Sequence, residues 1–381
     1  MASVTIYDVA RQAGVSIKTV SRVMNGEPNV RPVMQAKVRA AADALGYIPN
    51  LSARSLAGFK SFVVTVFVDA ALTLEHWSDE RVTDYLTRIQ HGATLSCREA
   101  GYHLILELID HDPLRVKQEI NGLLGALKPD GVILTPPSSD DELVLEMLRK
   151  SGTPFVRLGP ERDLPGGLRI QLDDSGAAEK MTGRLIELGH RRIGFVTGDP
   201  LWSSSRARHE GYLAAMAAAG LEIEPGWVQV GSYTYQSGQQ AARTLLALAE
   251  PPTAIFASSD DMALGCLAAA DDAGLSVPAD VSIVGFDDGT GARYSRPSLT
   301  TVRQPLVAMA RTAADALIKG EVTADCDRVI TLEHVDAFQL IERQSSGPPP
   351  AAQDPGATGA ETGRTFQPRS STRGALPTER G

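Results

Sequence analysis

Short apolar runs alternate with stretches of helical periodicity from residue 61 to residue 288. The apolar runs are SFVVTVFVD, HLILELI, PDGVILT, TPFVRL, RIQLDD, RRIGFVTG, PTAIFASS and VSIVGFDD, with a further strand predicted near 228–230. The helices predicted between them are 85–100, 116–127, 140–151, 175–188, 206–219, 237–249 and 261–273. Strands that alternate with helices of about 10–15 residues form parallel sheets of doubly wound topology. Because there are too many units for one sheet of ordinary size, we predict two similar α/β lobes with a cleft between them.

The first residues carry a different pattern, since 5–22 reads TIYDVARQAGVSIKTVSR. Thr5 is a good N-cap, and Asp8 places a carboxylate in the first turn of the helix that Thr5 opens. Gly14 supplies a tight turn, and Ser16 caps a second short helix that runs to about residue 24. Two short helices joined by a turn that contains Gly are typical of the helix–turn–helix, which lays its second helix in the DNA major groove.

A third helix and a linker follow this pair. Pro32 is well placed in the first turn of a helix that ends before Gly46, which completes a headpiece at 1–46. The linker at 47–60 contains a potential helix of about seven residues, and isolated helices shorter than about 12–15 residues are marginal in water. The linker is therefore either an ordinary connection or a hinge helix that becomes ordered against a partner.

The charges are unevenly distributed along the 381-residue chain. The net charge of −9 is unusual for a protein that binds nucleic acid. However, residues 1–60 hold eight Lys and Arg against three Asp and Glu, whereas residues 61–345 hold 25 against 40. A basic head on an acidic body indicates that only the head meets phosphate.

The sequence lacks the motifs that are typical of several other classes of protein. The cysteines Cys97, Cys266 and Cys326 show no CxxC spacing, which indicates buried reduced thiols. The histidines form no HExxH motif, and GFDDGTG lacks the Lys-Ser/Thr of a phosphate loop, so we expect no enzyme, no cofactor and no metal site. No signal peptide opens the chain and no run approaches 18 apolar residues, so we expect a cytoplasmic protein. Residues 346–381, rich in Pro, Gly, Ser, Thr and Ala, are predicted to be a disordered tail.

Several motifs, taken in order, resemble those of the lactose-repressor (LacI) family of bacterial transcription regulators. TIYDVARQAGVS, TVSRVMNG and ALGYIPNLSARSLAG carry the resemblance in the head and the hinge. GHRRIGFVTG, RARHEGY, IFASSDDMALG, DVSIVGFDD and SLTTVRQP carry it through the core, so that it covers about residues 4–343. The resemblance implies a helix–turn–helix headpiece and a hinge helix, followed at 61–345 by a two-lobed core like that of the periplasmic binding proteins. The lobe crossovers are expected near 160, near 290 and at 304–330.

The same resemblance implies a function. The chain is expected to be a sequence-specific DNA-binding regulator that acts as a homodimer on double-stranded operator DNA. We expect a repressor whose operator binding is controlled by a small effector, a sugar, in the cleft between the lobes. A regulator with a purine or nucleoside co-repressor is the alternative within the family. A solute-binding transport protein is the alternative outside it, but such a protein would lack residues 4–58.

The resemblance assigns base reading to the second helix. Arg22 is expected to make a bidentate contact with guanine, Lys18 to donate to guanine acceptors, and Ile17 to contact a thymine methyl. Short donors suited to phosphate are expected at Thr5, Tyr7, Ser16, Thr19, Ser21 and Asn25. For Thr5 and Ser16, a role in helix capping is the alternative.

In the linker, the resemblance assigns a DNA contact to Leu56. This large apolar side chain is expected to wedge into the minor groove at the operator centre, with Asn50 near phosphate. The small side chain of Ala53 would let the hinge helices of two protomers pack closely.

The residues that match the family's effector contacts come from both lobes. Arg208 is the expected ligand arginine, Asp287 the ligand carboxylate, and Gln304 an amide at a lobe crossover. Tyr85 is the candidate from the first lobe. The connection at 72–83 looks longer than the usual connection in the first lobe of the family.

Two further positions complete the expected effector site. The aromatic contact is assigned to Tyr233, with Tyr235 as the alternative. Ser259 stands where the family commonly has Asn, so it offers one hydroxyl in place of an amide. The second members of the two acidic pairs, Asp261 and Asp288, are expected to cap helices.

Overall fold

The structure, a computed structural model, describes residues 4–24, 29–47, 60–78, 84–160, 162–200, 202–331 and 338–350. Within these residues, three N-terminal helices are followed by an α/β core with two parallel sheets. The predicted fold class is confirmed for these parts, whereas the predicted hinge helix lies outside the described residues. None of the described helices combines the length and the apolar character needed to cross a membrane.

The first two of the three N-terminal helices begin at polar residues that close short hydrogen bonds, and the third begins at a proline. They are α1 (Ile6–Ala13), α2 (Ile17–Met24) and α3 (Pro32–Leu45). The carboxylate of Asp8 accepts hydrogen bonds from the backbone N–H of Thr5 at 3.0 Å and from its hydroxyl at 2.7 Å, which fixes the start of α1. The Ser16 hydroxyl accepts from the backbone N–H of Thr19 at 3.1 Å at the start of α2. The apolar cluster that joins the three helices includes the fully buried Val9, Val20 and Val38.

The first lobe is a six-stranded parallel sheet in the order β11-β5-β4-β3-β1-β2. Its strands are β1 (Val63–Asp69), β2 (His103–Ile109), β3 (Gly131–Leu134), β4 (Phe155–Leu158), β5 (Leu168–Gln171) and β11 (Arg328–Thr331). Its helices are α4 (Ala70–Ser78), α5 (Asp84–Ala100), α6 (Val116–Leu127), α7 (Glu142–Ser151) and α13 (Leu306–Ile318). Helices α5 and α13 cover one face of the sheet, and α6 and α7 cover the other. β1 is therefore buried almost throughout, which explains its continuous apolar run.

The second lobe is a four-stranded parallel sheet in the order β7-β6-β8-β9. Its strands are β6 (Ile193–Thr197), β7 (Val228–Val230), β8 (Ala254–Ala257) and β9 (Ser282–Val284). An antiparallel pair, β10 (Thr301–Arg303) and β12 (Gln339–Ile341), packs with it. Its helices are α8 (Asp174–Glu187), α9 (Ser203–Ala218), α10 (Tyr235–Leu246), α11 (Asp260–Asp272) and α12 (Thr290–Tyr294).

The chain passes between the two lobes after β5, after β10 and after β11. The predicted crossover near 290 is wrong, because the chain stays with the second lobe there. The backbone N–H of Asp287 donates to the carbonyl of Val302 at 2.7 Å, which ties this turn to the strand that follows. The cavity described below lies where the two lobes face each other.

Three stretches differ from the predictions. Helix α4 occupies much of the long connection at 72–83, and α13, which the sequence reading treats as crossover, packs on the first lobe. The tail prediction is wrong at its start. The N–H of Gly347 donates to the Ser282 hydroxyl at 3.0 Å, and its carbonyl accepts from Nε2 of His190 at 2.8 Å, so this backbone satisfies buried polar groups of the core. Residues 351–381 lie outside the described residues.

Candidate functional site

A cavity of about 250 Å³, here called the interlobe cavity, lies at the carboxyl ends of strands from both sheets. Asp69 ends β1, Gly159 follows β4, Ser259 follows β8 and Asp287 follows β9. Open α/β sheets bind ligands at this end of their strands. The structure brings together around this cavity all six residues predicted to contact an effector, which are Tyr85, Arg208, Tyr233, Ser259, Asp287 and Gln304.

Arg208 is the buried cation of the cavity. It projects from α9, and its Nε donates to Oδ1 of Asp174 at 2.7 Å. Its Nη1 donates to the carbonyl of Ser258 at 2.6 Å, and the guanidinium lies 3.7 Å from the ring centroid of Phe286. Burial alone would lower the pKa of Arg208, but Asp174, Tyr233 and Asp287 together outweigh burial and raise the pKa above its ordinary value. Arg208 therefore stays charged, with part of its hydrogen-bonding capacity committed to the protein.

Asp287 sits in a strained turn and faces the cavity. Its φ of 123° lies in the region that L residues rarely adopt. Nε2 of Gln304 donates to its Oδ1 at 2.6 Å. Burial raises the pKa of Asp287 to about 7, against the lowering effect of the nearby Arg208. The carboxyl therefore titrates near neutral pH.

Asp288, the next residue, has the opposite surroundings. It is fully buried, and its carboxylate accepts from Arg293 at 3.1 Å, from Arg303 at 2.6 Å and from Arg343. Burial would raise the pKa of Asp288, but the three arginines together hold it below its ordinary value. The prediction that Asp288 caps a helix is wrong, because Gly289 is the N-cap residue of α12. The carboxylate instead joins three separate segments of the second lobe.

Helix α11 begins in the cavity wall with its own cap. The Ser259 hydroxyl accepts from the backbone N–H of Met262 at 3.3 Å. Asp260 is buried and accepts from the hydroxyl of Thr301 at 2.6 Å and from the N–H of Gly289 at 2.6 Å. Burial raises the pKa of Asp260, and the neighbouring Asp287 raises it further. Ser259 thus serves the fold as an N-cap while it also lines the cavity.

One wall of the cavity is aromatic. The ring centroids of Tyr233 and Trp202 are 5.1 Å apart, and the Tyr233 hydroxyl lies 3.3 Å from that of Ser204. A Cβ added at Gly198 would overlap the Tyr233 ring, so this glycine makes room for it. Trp202 is missing from the sequence-based site, and its large ring just before a helix is the signal that was available. Tyr235, the alternative to Tyr233, is not among the residues that line the cavity.

Two residues of α5 reach across to the second lobe. Nη1 of Arg88 donates to the carbonyl of Asp287 at 2.8 Å, and its Nη2 donates to the carbonyl of Asp288. The carboxylate of Asp84 accepts from the hydroxyl of Thr290 at 3.2 Å and from its backbone N–H. We call these contacts the interlobe bridge. They hold the turn that carries Asp287 from the opposite lobe, and sequence reasoning did not detect them.

The predicted DNA-reading side chains of the headpiece are accessible on α1 and α2. Tyr7 is 63% exposed and Ile17 is 41% exposed, and Lys18 and Arg22 are exposed as well. Thr19 and Ser21 are half-buried, whereas the exposed Thr5 and Ser16 make the capping contacts described above. The remaining predicted contacts lie outside the described residues, namely Asn25, Asn50, Ala53 and Leu56.

Known proteins resemble this chain over most of its length. Residues 5–50 match the family described as bacterial regulatory proteins, lacI family. Residues 182–346 match the family described as periplasmic binding protein-like domain. Catabolite control protein A of Priestia megaterium is 35% identical over 342 residues, which are 88% of this chain and 98% of that protein.

Two similar solved structures carry ligands or DNA in their descriptions. The complex of the transcriptional regulator CelR with cellobiose has a TM-score of 0.65 and 32% identity, and the match covers 90% of this chain and 100% of that one. The Lac repressor dimer bound to operator and the anti-inducer ONPF has a TM-score of 0.73 and 26% identity, with coverage of 91% and 100%.

Proposed function

The chain belongs to the LacI family of bacterial regulatory proteins and is a DNA-binding transcriptional regulator, and on this premise we propose that it is a repressor controlled by a small effector in the interlobe cavity. One observation carries the proposal. The six side chains assigned to an effector come from distant parts of the sequence, yet all of them line one cavity between the lobes. A ligand that contacts both lobes changes their relative stability in open and closed arrangements.

The effector that we propose is a sugar or a related polyol. The cavity offers carboxylates, the guanidinium of Arg208 and the amide of Gln304, which bind hydroxyl groups, beside the aromatic faces of Tyr233 and Trp202. The similar regulator CelR is described in complex with cellobiose. These features together support a polyhydroxylated ligand.

For DNA, we propose that α2 reads the operator, with Arg22 and Lys18 on guanine and Ile17 on a thymine methyl. The exposure of these three side chains beside a buried valine cluster supports this role. The Lac repressor is described as a dimer on its operator. We propose the same arrangement here, with 1–46 as headpiece and 61–345 as core, acting in the cytoplasm where operator DNA lies.

The cavity and the linker are connected through α13. Leu306, in the first turn of this helix, lines the cavity, and the carbonyl of Ile318 at its end accepts from Nζ of Lys60 at 3.5 Å. Nζ of Lys60 also donates to the Tyr102 hydroxyl at 3.0 Å. Helix α13 therefore joins the cavity wall to the residue at which the 47–60 linker meets the core. This supports our proposal that the effector controls the linker, with Leu56 as the minor-groove wedge.

The DNA proposal is tested by selecting binding sites for the full chain from random double-stranded DNA. We expect sites with two-fold symmetry. Arg22→Ala should cost about 1–3 kcal/mol of binding and relax the preference at one base pair of each half-site. The matched control is Arg39→Ala, an equal change of charge at an exposed position of α3, which should leave the base preference unchanged. If Arg22→Ala retained full selectivity, α2 would not be the reading helix.

The effector proposal is tested on the selected DNA with cellobiose, glucose and galactose, and with adenine and guanine for comparison. A sugar should release the protein from DNA, and by linkage bound DNA should lower the affinity for the sugar by the same factor. A purine that strengthens DNA binding would contradict the proposed effector class.

A further inference from the structure

The interlobe cavity is lined with far more negative than positive groups. Its aspartates are Asp69, Asp84, Asp174, Asp260, Asp261 and Asp287. Among the described residues that line it, Arg208 is the single Lys or Arg side chain, and it is already paired with Asp174 at 2.7 Å. The cavity therefore has no cation left to balance the charge of an anionic ligand.

The carboxylates are spread over both walls. Asp69 and Asp84 belong to the first lobe, whereas Asp260, Asp261 and Asp287 follow strands of the second lobe. A ligand that contacts both lobes therefore meets carboxylate oxygens on both sides. Where these carboxyl groups are ionised they only accept hydrogen bonds, so the matching ligand groups are donors.

One feature favours an anion, and the rest of the wall outweighs it. The first turn of α9 carries no acidic residue, and Ser204 in that turn lines the cavity. Helix N-termini attract anions within about one turn. The corresponding end of α11, however, carries Asp260 and Asp261 in its first turn, which occupy its positive end.

We propose that the interlobe cavity accepts ligands that offer hydrogen-bond donors and carry no negative charge, and that it excludes sugar phosphates and uronic acids. This selectivity rests on the proposed function, in which the cavity is the effector site. It narrows the effector to uncharged or amine-bearing polyols. The aromatic wall of Trp202 and Tyr233 accommodates the apolar face of such a ring.

The charge of the cavity can be measured without knowing the ligand, because Trp202 lines it. The fluorescence of Trp202 is the difference between the wild type and Trp202→Phe. The reference is Trp77, which is 46% exposed and does not line the cavity, and its fluorescence is obtained in the same way from Trp77→Phe. Iodide, caesium and acrylamide serve as anionic, cationic and neutral quenchers at constant ionic strength. The ratio of caesium to iodide quenching for Trp202 should exceed that for Trp77 by about threefold or more. Equal ratios would overturn the proposal.

A charge reversal on one helix supplies the matched control. Asp261→Lys, in the first turn of α11, should lower the caesium-to-iodide ratio for Trp202 by about twofold or more. Asp271→Lys makes the same change of net charge near the other end of α11, at an exposed residue that does not line the cavity, and should leave the ratio unchanged. If both variants shifted the ratio equally, the quenching would report net charge and the proposal would fail.

Ligand binding gives the second measurement. Titration calorimetry with the full chain compares glucose, glucosamine, glucose 6-phosphate and glucuronate, and then the galactose series. Binding of a neutral or amine-bearing member in preference to its anionic relatives supports the proposal, and preferred binding of a phosphate or uronate overturns it. If quenching shows exclusion of anions while no small molecule changes DNA binding, the selectivity stands and the proposed effector function fails.

Discussion

Asp287 and Asp288 are neighbours with opposite electrostatic surroundings, and their amide variants should change the free energy of unfolding in opposite directions. Burial raises the pKa of Asp287 to about 7. Three arginines hold the pKa of Asp288 below its ordinary value despite its burial. Asp287→Asn therefore removes a charge that the fold disfavours, whereas Asp288→Asn removes one that three guanidinium groups require.

For Asp287, the native carboxyl keeps its proton up to about pH 7, whereas an unfolded Asp loses it near pH 3.9. Between these pH values the native state binds more protons than the unfolded state, so the stability of the wild type falls as the pH rises. Each pH unit of the window corresponds to about 1.4 kcal/mol, which gives about 4 kcal/mol as an upper bound for the whole window. From pH 5 to pH 8, the free energy of unfolding of Asp287→Asn relative to that of the wild type should rise by about 2–3 kcal/mol.

For Asp288, the sign is reversed. Its folded pKa is depressed, so its contribution is present above the unfolded pKa and is lost as the pH falls through the folded pKa. Asp288→Asn leaves the largely buried Arg343 without its carboxylate, whereas Arg293 and Arg303 are partly exposed and stay hydrated. The substitution should therefore cost about 1–3 kcal/mol at pH 8, the range for leaving a buried polar group without its partner. This cost should shrink below about pH 4, where an unfolded Asp is protonated.

Urea unfolding of the full chain at pH 5, 6.5 and 8, followed by tryptophan fluorescence and circular dichroism, measures both variants. The two substitutions are chemically identical and adjacent, so each is the control for the other. A stability difference for Asp287→Asn that is the same at pH 5 and pH 8 would refute the assigned pKa. A neutral effect of Asp288→Asn would refute its role as the centre of the arginine cluster.

Two further predictions concern the cavity. Arg88→Met removes two hydrogen bonds of the interlobe bridge, so the distances between spin labels on the two lobes should become longer and more broadly distributed without effector. Arg98→Met, on the same helix, should leave the distribution as in the wild type. Equal distributions for the wild type and both variants would count against the bridge. Gly198→Ala forces the Tyr233 ring out of its place and should weaken effector binding about tenfold or more. The control is Gly183→Ala, which has open space at its Cβ; it should preserve effector binding and raise the free energy of unfolding by about 0.5–1 kcal/mol. Unchanged affinity in Gly198→Ala would remove Tyr233 from the effector site.

The starts of the helices could be predicted from the sequence because the hydrogen bonds that cap a helix join residues close together in the chain. Thr5 with Asp8 and Ser16 with Thr19 close hydrogen bonds within three residues, and the structure has both. The apolar runs became parallel strands because helices cover both faces of the sheets. Site residues such as Asp287 were predicted through family motifs, and the cavity brings them together at strand ends.

The missed features depend on partners far away in the sequence. Arg88 is 199 residues from the carbonyl that it binds, and nothing in its local sequence indicates that contact. Asp288 looks like a helix cap until the fold brings Arg303 and Arg343 beside it. The residues of α13 follow helical periodicity, but the surface that buries them is built from residues more than 100 positions earlier.

The position of α13 and β11 in the first lobe determines the order in which the protein can be completed during synthesis. Leu306, Met309 and Leu317 belong to the same apolar cluster as Val64 and its neighbours on β1. β5 pairs with β11, whose first residue is Arg328. A nascent chain that ends after β10 therefore has a complete parallel sheet in its second lobe, but an unfinished first lobe with exposed apolar surface. The second lobe is incomplete at that point as well, because β12, Arg343 and Gly347 follow β11 in the chain. Both lobes therefore need the C-terminal segments before they are complete, which departs from the usual order in which N-terminal domains fold first.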